Sequence, residues 1–329
     1  MPRADALDVG SVVGGKYRIL GLLGEGGMGS VFEAKHMAIG RVFAIKVLHA
    51  THADSPMIIK RFEREARAVG TIGHPNLCTV FDFGTLTGGR PYIVMERLHG
   101  ETLAARIRRE GALPMGEVLD SVLQVLAGLG AAHARGILHR DIKPDNVLLS
   151  RDPAVSRLLD FGVSKALAGG EWDEPSAVTH TGVVIGTPHY LSPEQVRARR
   201  DLDARVDIYG CGVLLYEALT GQRPHTARQY NPLMLQILRG DVKPPREHRS
   251  DLPPELERII MKAMASERDD RHASAEELAS DLARVRESLH TAPVPASTTH
   301  EIPVYVDSTT ALPTSAEDDA TTHVDLDFE

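Results

Sequence analysis

The stretch "GLLGEGGMGSVFEAKH", residues 21–36, limits the possible folds most, because five of its first nine residues are glycine. Glycine collects where the backbone bends in ways that a Cβ prevents, or where another group approaches it closely. Gly24, Gly26 and Gly29 fit the spacing G-x-G-x-x-G. That spacing occurs in tight turns, in dinucleotide-binding folds and in loops that cover nucleotide phosphates.

The segments on either side of the glycines separate these alternatives. A dinucleotide site needs the glycines to end a strand and open a helix, so that the pyrophosphate meets the helix N-terminus. Here "YRILGLLG" precedes the glycines and "SVFEAKH" follows them, and both have the composition of strands. The context therefore excludes the dinucleotide motif and favours a hairpin flap whose amides can close over phosphates.

Composition indicates an ordinary globular protein with a sizeable core, since 42% of the 329 residues are hydrophobic and 25% are charged. Two cysteines cannot form a disulfide framework, which indicates a reducing compartment. The longest apolar run, "IYGCGVLLYEAL", is too short to cross a bilayer, and the first residues do not resemble a signal peptide. We therefore expect a cytoplasmic protein without a membrane span.

Charge is distributed unevenly along the chain. From Thr291 onward there are eight of the 45 acidic residues and no Lys or Arg, so the preceding part balances 37 acidic with 37 basic residues. A body near neutrality argues against nucleic-acid binding, which normally requires a basic surface. The Thr-, Pro- and acid-rich tail lacks apolar periodicity, and we expect it to be disordered.

The chain changes character near "MERLHG", residues 95–100. Before this point most segments are typical of strands; after it, long apolar stripes at helical spacing predominate. In "VDIYGCGVLLYEALTG" apolar residues cover every side, as in a helix buried within a core. The fifteen histidines show no metal-ligand spacing, and we expect most of them at the surface.

Lys46 lies in the strand-like segment "VFAIKVL" with apolar neighbours on both sides, so it should be partly buried and need an anionic partner. The helix predicted over "SPMIIKRFEREARAVGTIG" offers one. At about 100° per residue, Glu65 lies within the apolar stripe of that helix, whereas Glu63 lies outside it. We expect Lys46 and Glu65 to form an ion pair.

The segment "ILHRDIKPDNVLL", residues 137–149, places Asp141, Lys143 and Asn146 just before an apolar strand, and "LLDFGVSK" then adds Asp160. A carboxylate can receive a hydroxyl proton, and a lysine can bind a phosphate. Asn and Asp supply the oxygen ligands that Mg²⁺ prefers. This set of groups is what phosphoryl transfer requires.

With these segments the chain resembles the protein kinases, and most closely the Hanks-type serine/threonine kinases of bacteria. The resemblance implies an α+β, two-lobed protein kinase fold with a β-rich N-lobe that carries one regulatory helix, and a mostly helical C-lobe. The implied boundaries are an N-terminal extension over 1–16, a kinase domain over 17–286 (N-lobe about 17–97, C-lobe about 98–286) and the disordered acidic tail over 287–329.

The resemblance implies that ATP binds beneath the glycine flap, with Lys46 on its α- and β-phosphates and Glu65 orienting Lys46. Met95 would be the gatekeeper, Glu96 and Leu98 would offer backbone groups to adenine, and apolar side chains would enclose the ring. The nucleotide-binding residues implied are Leu23, Gly24, Glu25, Gly26, Gly27, Met28, Gly29, Val31, Ala44, Lys46, Met95, Glu96, Leu98 and Leu148.

For the chemistry, the resemblance implies Asp141 as catalytic base, with Lys143 steadying the γ-phosphate. Asn146 and Asp160 would hold Mg²⁺, with Mn²⁺ as an alternative ion. A spine of side chains would link the lobes. Its implied members are Val69, Val80, His139 and Phe161.

Further positions support the site by the same resemblance. Glu194 would pair with Arg271, and Asp207 would brace the backbone of the segment around Asp141. Arg140 would receive a phosphate from the loop after Asp160. The implied phosphorylation sites are Thr179 and Thr181, and Thr187 would hydrogen-bond to Asp141 and Lys143.

Lys143, two residues after Asp141, and the segment "GTPHY" favour serine/threonine over tyrosine specificity and leave dual specificity open. Protein substrates are implied as partners, as is transient self-association for autophosphorylation. The alternative is a pseudokinase, a binding scaffold without phosphoryl transfer. It predicts a loss among Lys46, Asp141, Asn146 and Asp160, and all four are present.

Overall fold

A computed structural model describes residues 7–26, 29–49, 63, 66, 70–151, 154–160 and 188–291. All of them belong to the first of two units into which the chain divides, Met1–Thr291. Residues 287–291 of the tail predicted to be disordered over 287–329 are helical, and the rest of that tail lies outside the described residues.

The first part of the chain forms an antiparallel sheet, as the strand-like segments predict. Its strand order is β1-β2-β3-β4-β6-β5, and alternate side chains pack into one apolar core on the side of Tyr17, Phe43 and Tyr92. The sheet begins before Tyr17, since Val13 is fully buried in this core. The strands are β1 (Val12–Val13), β2 (Tyr17–Gly26), β3 (Gly29–His36), β4 (Val42–Leu48), β5 (Val80–Thr85) and β6 (Pro91–Glu96).

Within the predicted regulatory helix the structure describes residues 63, 66 and 70, all of them helical. Ala66 is buried against Leu48 of β4 and Ile93 of β6. The described part of the apolar stripe therefore packs on the sheet, as its periodicity predicts.

The second part of the chain is helical and is organised around α4, in which every residue from Val206 to Thr220 is buried. Apolar residues occur on every side of α4 because other helices pack on it from several sides. The helices are α1 (Leu103–Glu110), α2 (Met115–His133), α3 (Pro193–Val196), α4 (Arg205–Thr220), α5 (Tyr230–Arg239), α6 (Pro254–Ala263) and α7 (Ala275–Thr291).

Helix α2 is long and apolar enough to cross a membrane by length and composition, although the sequence predicted no such segment. In the structure half of its most apolar window is buried, and the helix packs against α4 and α7. Contacts within the core thus account for its apolar residues.

A second, three-stranded sheet has the order β7-β8-β9, with strands β7 (Glu101–Thr102), β8 (Val147–Arg151) and β9 (Ala154–Leu158). Strand β8 follows Asn146 and β9 ends two residues before Asp160. The sheet thereby brings two separate candidate segments to neighbouring positions.

The loop around Asn76 is attached to this second sheet, although it belongs in sequence to the first part of the chain. Leu158 N–H donates to Asn76 O at 2.8 Å, and Cys78 N–H donates to Leu158 O at 3.0 Å. The Asn76 amide donates to Ser156 O and to Gln124 Oε1 on α2, both at 3.0 Å. The Asn76–Cys78 loop is therefore anchored to the helical lobe.

Candidate active site

The glycine stretch forms a hairpin between β2 and β3, with Gly24 opposite Val31 and Gly26 opposite Gly29. The residue after the glycines is in a strand, which agrees with the flap and not with a dinucleotide motif. At Gly29 a Cβ would lie 2.3 Å from Val47 O on β4, so only glycine fits there. Leu23 is 41% exposed at this hairpin.

Lys46 on β4 is buried, and its Nζ lies 2.8 Å from Asp160 Oδ1. Desolvation alone would raise the pKa of Asp160, but the ion pair with Lys46 outweighs it and keeps that pKa below its ordinary value. The Asp160 carboxylate is therefore ionised at neutral pH. Glu65, the partner that the sequence predicted for Lys46, lies outside the described residues.

The residues implied to surround adenine lie at the junction of the two parts of the chain. Ala44 is buried on β4 opposite Met95 on β6, so their positions are set by the sheet register. Glu96 N–H donates to Thr79 O at 2.9 Å, and Leu148 lies on β8, half-buried. Val31 on β3, Ala44 on β4 and Met95 on β6 thus lie on three neighbouring strands of the first sheet, whereas Leu148 belongs to the second sheet.

The 139–146 loop holds three candidate side chains in direct contact. Lys143 Nζ donates to Asp141 Oδ2 at 2.7 Å. The Asn146 amide nitrogen donates to the Asp141 carbonyl at 2.7 Å and to Asp141 Oδ2 at 3.1 Å. These donors fix the orientation of the Asp141 carboxylate, which remains half-buried.

The same loop is joined to the residue before Asp160. Leu159 N–H donates to Asn146 O at 2.8 Å, and the His139 ring nitrogen Nε2 contacts Leu159 O at the same distance. The other ring nitrogen of His139 accepts from Asp141 N–H at 3.2 Å. His139 must therefore be the neutral Nε2–H tautomer, and its burial lowers its pKa accordingly.

Asp207, the predicted brace, is fully buried at the start of α4. Its carboxylate accepts from His139 N–H at 2.8 Å and from Arg140 N–H at 2.6 Å. The ring of His133, at the end of α2, contacts it at 2.8 Å. Burial acts to raise the pKa of Asp207, but His133 and these other hydrogen-bonded groups outweigh burial and keep it low.

Glu194 and Arg271 meet as predicted, in a buried bidentate ion pair with N–O distances of 2.7 and 2.8 Å. The remaining guanidinium N–H groups donate to three backbone carbonyls, and the group lies 4.9 Å from the centre of the Tyr209 ring. Each N–H of Arg271 thus has an acceptor. This pair fixes α3 to the core of the helical lobe.

Several predicted positions lie outside the described residues, so their roles stay predictions. They are Gly27, Met28, Glu65, Val69, Phe161, Thr179, Thr181 and Thr187.

The prediction that most histidines lie at the surface is wrong for two histidines inside the helical lobe. His225 and His272 are fully buried, and His133 is the partner of Asp207. His225 Nε2 contacts the Tyr209 hydroxyl at 2.9 Å, a pairing that gives both atoms a partner within the core, while Nδ1 of His225 has none. Its polar sequence neighbours, "RPHTAR", gave no sign of burial.

Burial lowers the pKa of His225 to about 4, and the nearby His189 contributes in the same direction. Unfolded histidine titrates near 6.5, so between these pH values the unfolded chain takes up a proton that the folded chain does not. We expect the free energy of unfolding to fall by up to about 2 kcal/mol through His225 alone between pH 7.5 and 5.0.

Urea unfolding of the wild type and of His225→Phe at several pH values measures this contribution. The variant should lose stability with acidification less steeply than the wild type, whatever its stability at pH 7.5. If the free energies of unfolding of the two proteins fall equally steeply with acidification, His225 takes up a proton in the folded protein as readily as in the unfolded chain.

The donor set of the site suits a divalent cation shared with a nucleotide. Within the part of the chain that the structure describes, no group of three or more His, Cys, Asp or Glu side chains could hold a metal ion. Asn146 turns its amide nitrogen toward Asp141, which leaves its amide oxygen, with the Asp160 carboxylate, for a hard ion. Mg²⁺ commonly combines one or two such ligands with substrate phosphates.

A family model described as protein kinase domain matches residues 17–282. The serine/threonine-protein kinase pkn3 of Myxococcus xanthus is 38% identical over 282 residues, covering 84% of this chain and 51% of that protein. PknB of Mycolicibacterium smegmatis is 38% identical over 275 residues, covering 83% of this chain and 43% of that protein. The chain thus spans about half the length, or less, of these relatives.

Solved structures give the same result for the fold. The kinase domain of Mycobacterium tuberculosis PknI aligns with a TM-score of 0.67 and 28% identity, covering 85% of this chain and 99% of that one. The similarity therefore extends over nearly the whole of that solved domain.

Proposed function

The chain belongs to the protein kinase family, with bacterial serine/threonine kinases among its relatives, and we propose that it transfers the γ-phosphoryl group of ATP to serine or threonine hydroxyls of proteins. The observation that carries this proposal is the joined set Asp141–Lys143–Asn146, which is hydrogen-bonded to the residue before Asp160. Its groups cover proton acceptance, phosphate binding and cation binding.

In the proposed step the acceptor oxygen forms a bond to the γ-phosphorus, and the bond from that phosphorus to the β-phosphate oxygen breaks, releasing ADP. The proton of the hydroxyl passes to Asp141, whose carboxylate is held in place by Lys143 and Asn146. Lys143 would also contact the transferred group. A divalent ion, Mg²⁺ or alternatively Mn²⁺, would neutralise phosphate charge when bound by Asn146 and Asp160.

Lys46 serves the other end of the nucleotide in this proposal. Its ammonium group is buried and paired with Asp160, on the strand next to the glycine hairpin. The neighbouring strand β3 brings Val31 directly opposite Lys46. A phosphate bound there would meet both the lysine and the backbone of the flap.

The test is incubation of the purified chain with Mg²⁺, γ-labelled ATP and a generic basic protein as acceptor. We expect label on serine and threonine of the acceptor, dependence on the divalent ion, and little label on tyrosine. A folded protein that binds ATP and transfers no phosphate would support the pseudokinase alternative, that is, a binding scaffold.

Autophosphorylation is a second expected result of the proposed function. Thr179 and Thr181 follow Asp160 in the polar stretch "LAGGEWDEPSAVTHTG", and Arg140 adjoins Asp141 in the 139–146 loop. Wild-type protein made in a host without partner kinases should carry phosphate on one or both threonines, through transient self-association. Mass spectrometry of active enzyme with neither threonine modified would contradict this expectation.

We also propose a cytoplasmic site of action, because ATP and reduced thiols are found there. Cys78 and Cys211 are both free and buried, and burial raises the pKa of the Cys78 thiol to about 12. These thiols therefore suit a role in packing. The protein substrates are those with accessible serine or threonine hydroxyls, and no nucleic-acid partner is proposed.

A further inference from the structure

Helix α3 is a single turn, yet one of its side chains connects two separate parts of the protein. Gln195 is buried, with 6% of its surface exposed. Its amide oxygen accepts from Ser192 N–H at 3.0 Å, which completes a capping box at the start of the helix. Its amide nitrogen donates to the Arg140 carbonyl at 2.9 Å. The two contacts need opposite ends of the amide, so they fix its orientation.

The carbonyl that Gln195 binds belongs to a strained residue. Arg140 has a φ of 63°, in the left-handed region that non-glycine residues rarely adopt. Such a conformation persists where surrounding groups hold it. Here Asp207 accepts from the Arg140 N–H at 2.6 Å, while Gln195 binds the carbonyl on the other side of the same residue.

The same carbonyl also determines how Asp141 is placed. The Arg140 C=O and the Asp141 N–H form one planar peptide group. Gln195 binds the oxygen of this group, and His139 Nδ1 accepts from its N–H at 3.2 Å. The plane is therefore held from both edges, and its orientation sets the direction in which the Asp141 side chain leaves the backbone.

We propose that Gln195 is a positioning residue for phosphoryl transfer, which holds the 140–141 peptide so that Asp141 faces the acceptor hydroxyl; this inference rests on the proposed function. Helix α3 is itself immobilised by the neighbouring Glu194, which pairs with Arg271 in the core. The position of α3 is thus transmitted through Gln195 to the 139–146 loop.

Gln195→Glu separates the two contacts of the side chain. The glutamate side chain has the same length as glutamine and keeps an oxygen that can accept from Ser192 N–H. In place of the amide N–H donor, however, it turns a second carboxylate oxygen toward the Arg140 carbonyl. We expect kcat at pH 8.5 to fall about tenfold or more, since small displacements of reacting groups have effects of this size. The KM for ATP should change little, because Gln195 contacts the 139–146 loop, which carries the proposed base Asp141.

The pH profile provides a readout that a general packing role would not give. Burial raises the pKa of a carboxyl group, and its protonated form can donate to the Arg140 carbonyl as the glutamine does. The ratio of variant kcat to wild-type kcat should therefore rise as the pH falls from 8.5 to 6.5. A ratio that stays constant would overturn the proposal.

Ser192→Ala is the matched control. It removes the hydroxyl that accepts from Gln195 N–H at 3.4 Å and leaves both contacts of the glutamine amide in place. We expect this variant to keep most of the wild-type kcat. An equal loss of kcat in Ser192→Ala and Gln195→Glu would assign the effect to the helix cap and overturn the proposal.

If Gln195→Glu fails to fold, Gln195→Met removes both amide contacts without burying a charge, and a wild-type kcat in that variant would overturn the proposal. Hydrogen exchange gives a readout independent of transfer: the amides of Arg140 and Asp141 should exchange faster in the variant than in Ser192→Ala. Unchanged exchange would also overturn it. An inactive wild type in which the exchange result holds would contradict only the proposed function.

Discussion

Replacing Asp141 with Asn should lower kcat at least about 100-fold while leaving the affinity for ATP within a few-fold of the wild type. The asparagine cannot accept the hydroxyl proton, and removal of a general base commonly costs a factor of this size or more. Asp141 is bound to Lys143 and Asn146 within its own loop, so its loss should not disturb the Lys46–Asp160 pair.

Asp145→Asn provides a control with the same chemical change in the same loop. Asp145 is exposed, and its carboxylate lies 3.9 Å from an Arg108 guanidinium that is exposed as well. This variant should keep the wild-type kcat. Steady-state kinetics and equilibrium binding of a fluorescent nucleotide distinguish the two variants, and comparable turnover in Asp141→Asn would show that the base is elsewhere.

Lys46→Met should also abolish transfer, but through the nucleotide rather than the acceptor. The change removes the buried ammonium group opposite Asp160 and so misplaces the phosphates that it is proposed to hold. Lys35→Met, at an exposed position on the adjacent strand β3, is the control. A Lys46→Met variant with most of its turnover would place the nucleotide site elsewhere.

The second large effect concerns stability. Arg271→Met should lower the free energy of unfolding by about 3–5 kcal/mol, because it leaves the Glu194 carboxylate buried without its partner. The guanidinium also satisfies three carbonyls, which the variant leaves without these donors. Urea unfolding at neutral pH measures the change.

Two further variants test this explanation. Arg258→Met breaks an exposed pair with Glu255 on α6 and should cost far less stability than Arg271→Met. The double variant Glu194→Met/Arg271→Met removes both charges and should be less destabilised than the sum of the single changes. If the effects of the two single changes on the free energy of unfolding add up in the double variant, the unpaired Glu194 charge is not the source of the lost stability.

Much of the site could be predicted from the sequence because its residues are close together along the chain. Asp141, Lys143 and Asn146 lie within six positions, and the strand after them ensures that they meet. The pair of Glu194 and Arg271 spans a long separation, and only the family resemblance identified it. The strand-like composition of the segments around the glycines and Lys46 likewise predicted strands of the first sheet.

Contacts that depend on tertiary position could not be predicted in this way. The capping-box pattern from Ser192 to Gln195 is readable in "SPEQ", but nothing local indicates that the amide reaches the Arg140 carbonyl. The burial of His225 has no periodic signature, since its neighbours are polar and its partner Tyr209 lies on another element. The small strand β9 was missed because it is short and partly polar.

The attachment of the Asn76–Cys78 loop to β9 has a mechanical consequence for the molecule. Among the described residues, the first sheet is connected to the helical lobe by this loop and by the chain after Glu96, and the Lys46–Asp160 ion pair also links β4 to the segment after β9. The backbone hydrogen bonds between Asn76, Cys78 and Leu158 therefore resist sliding of this loop along β9.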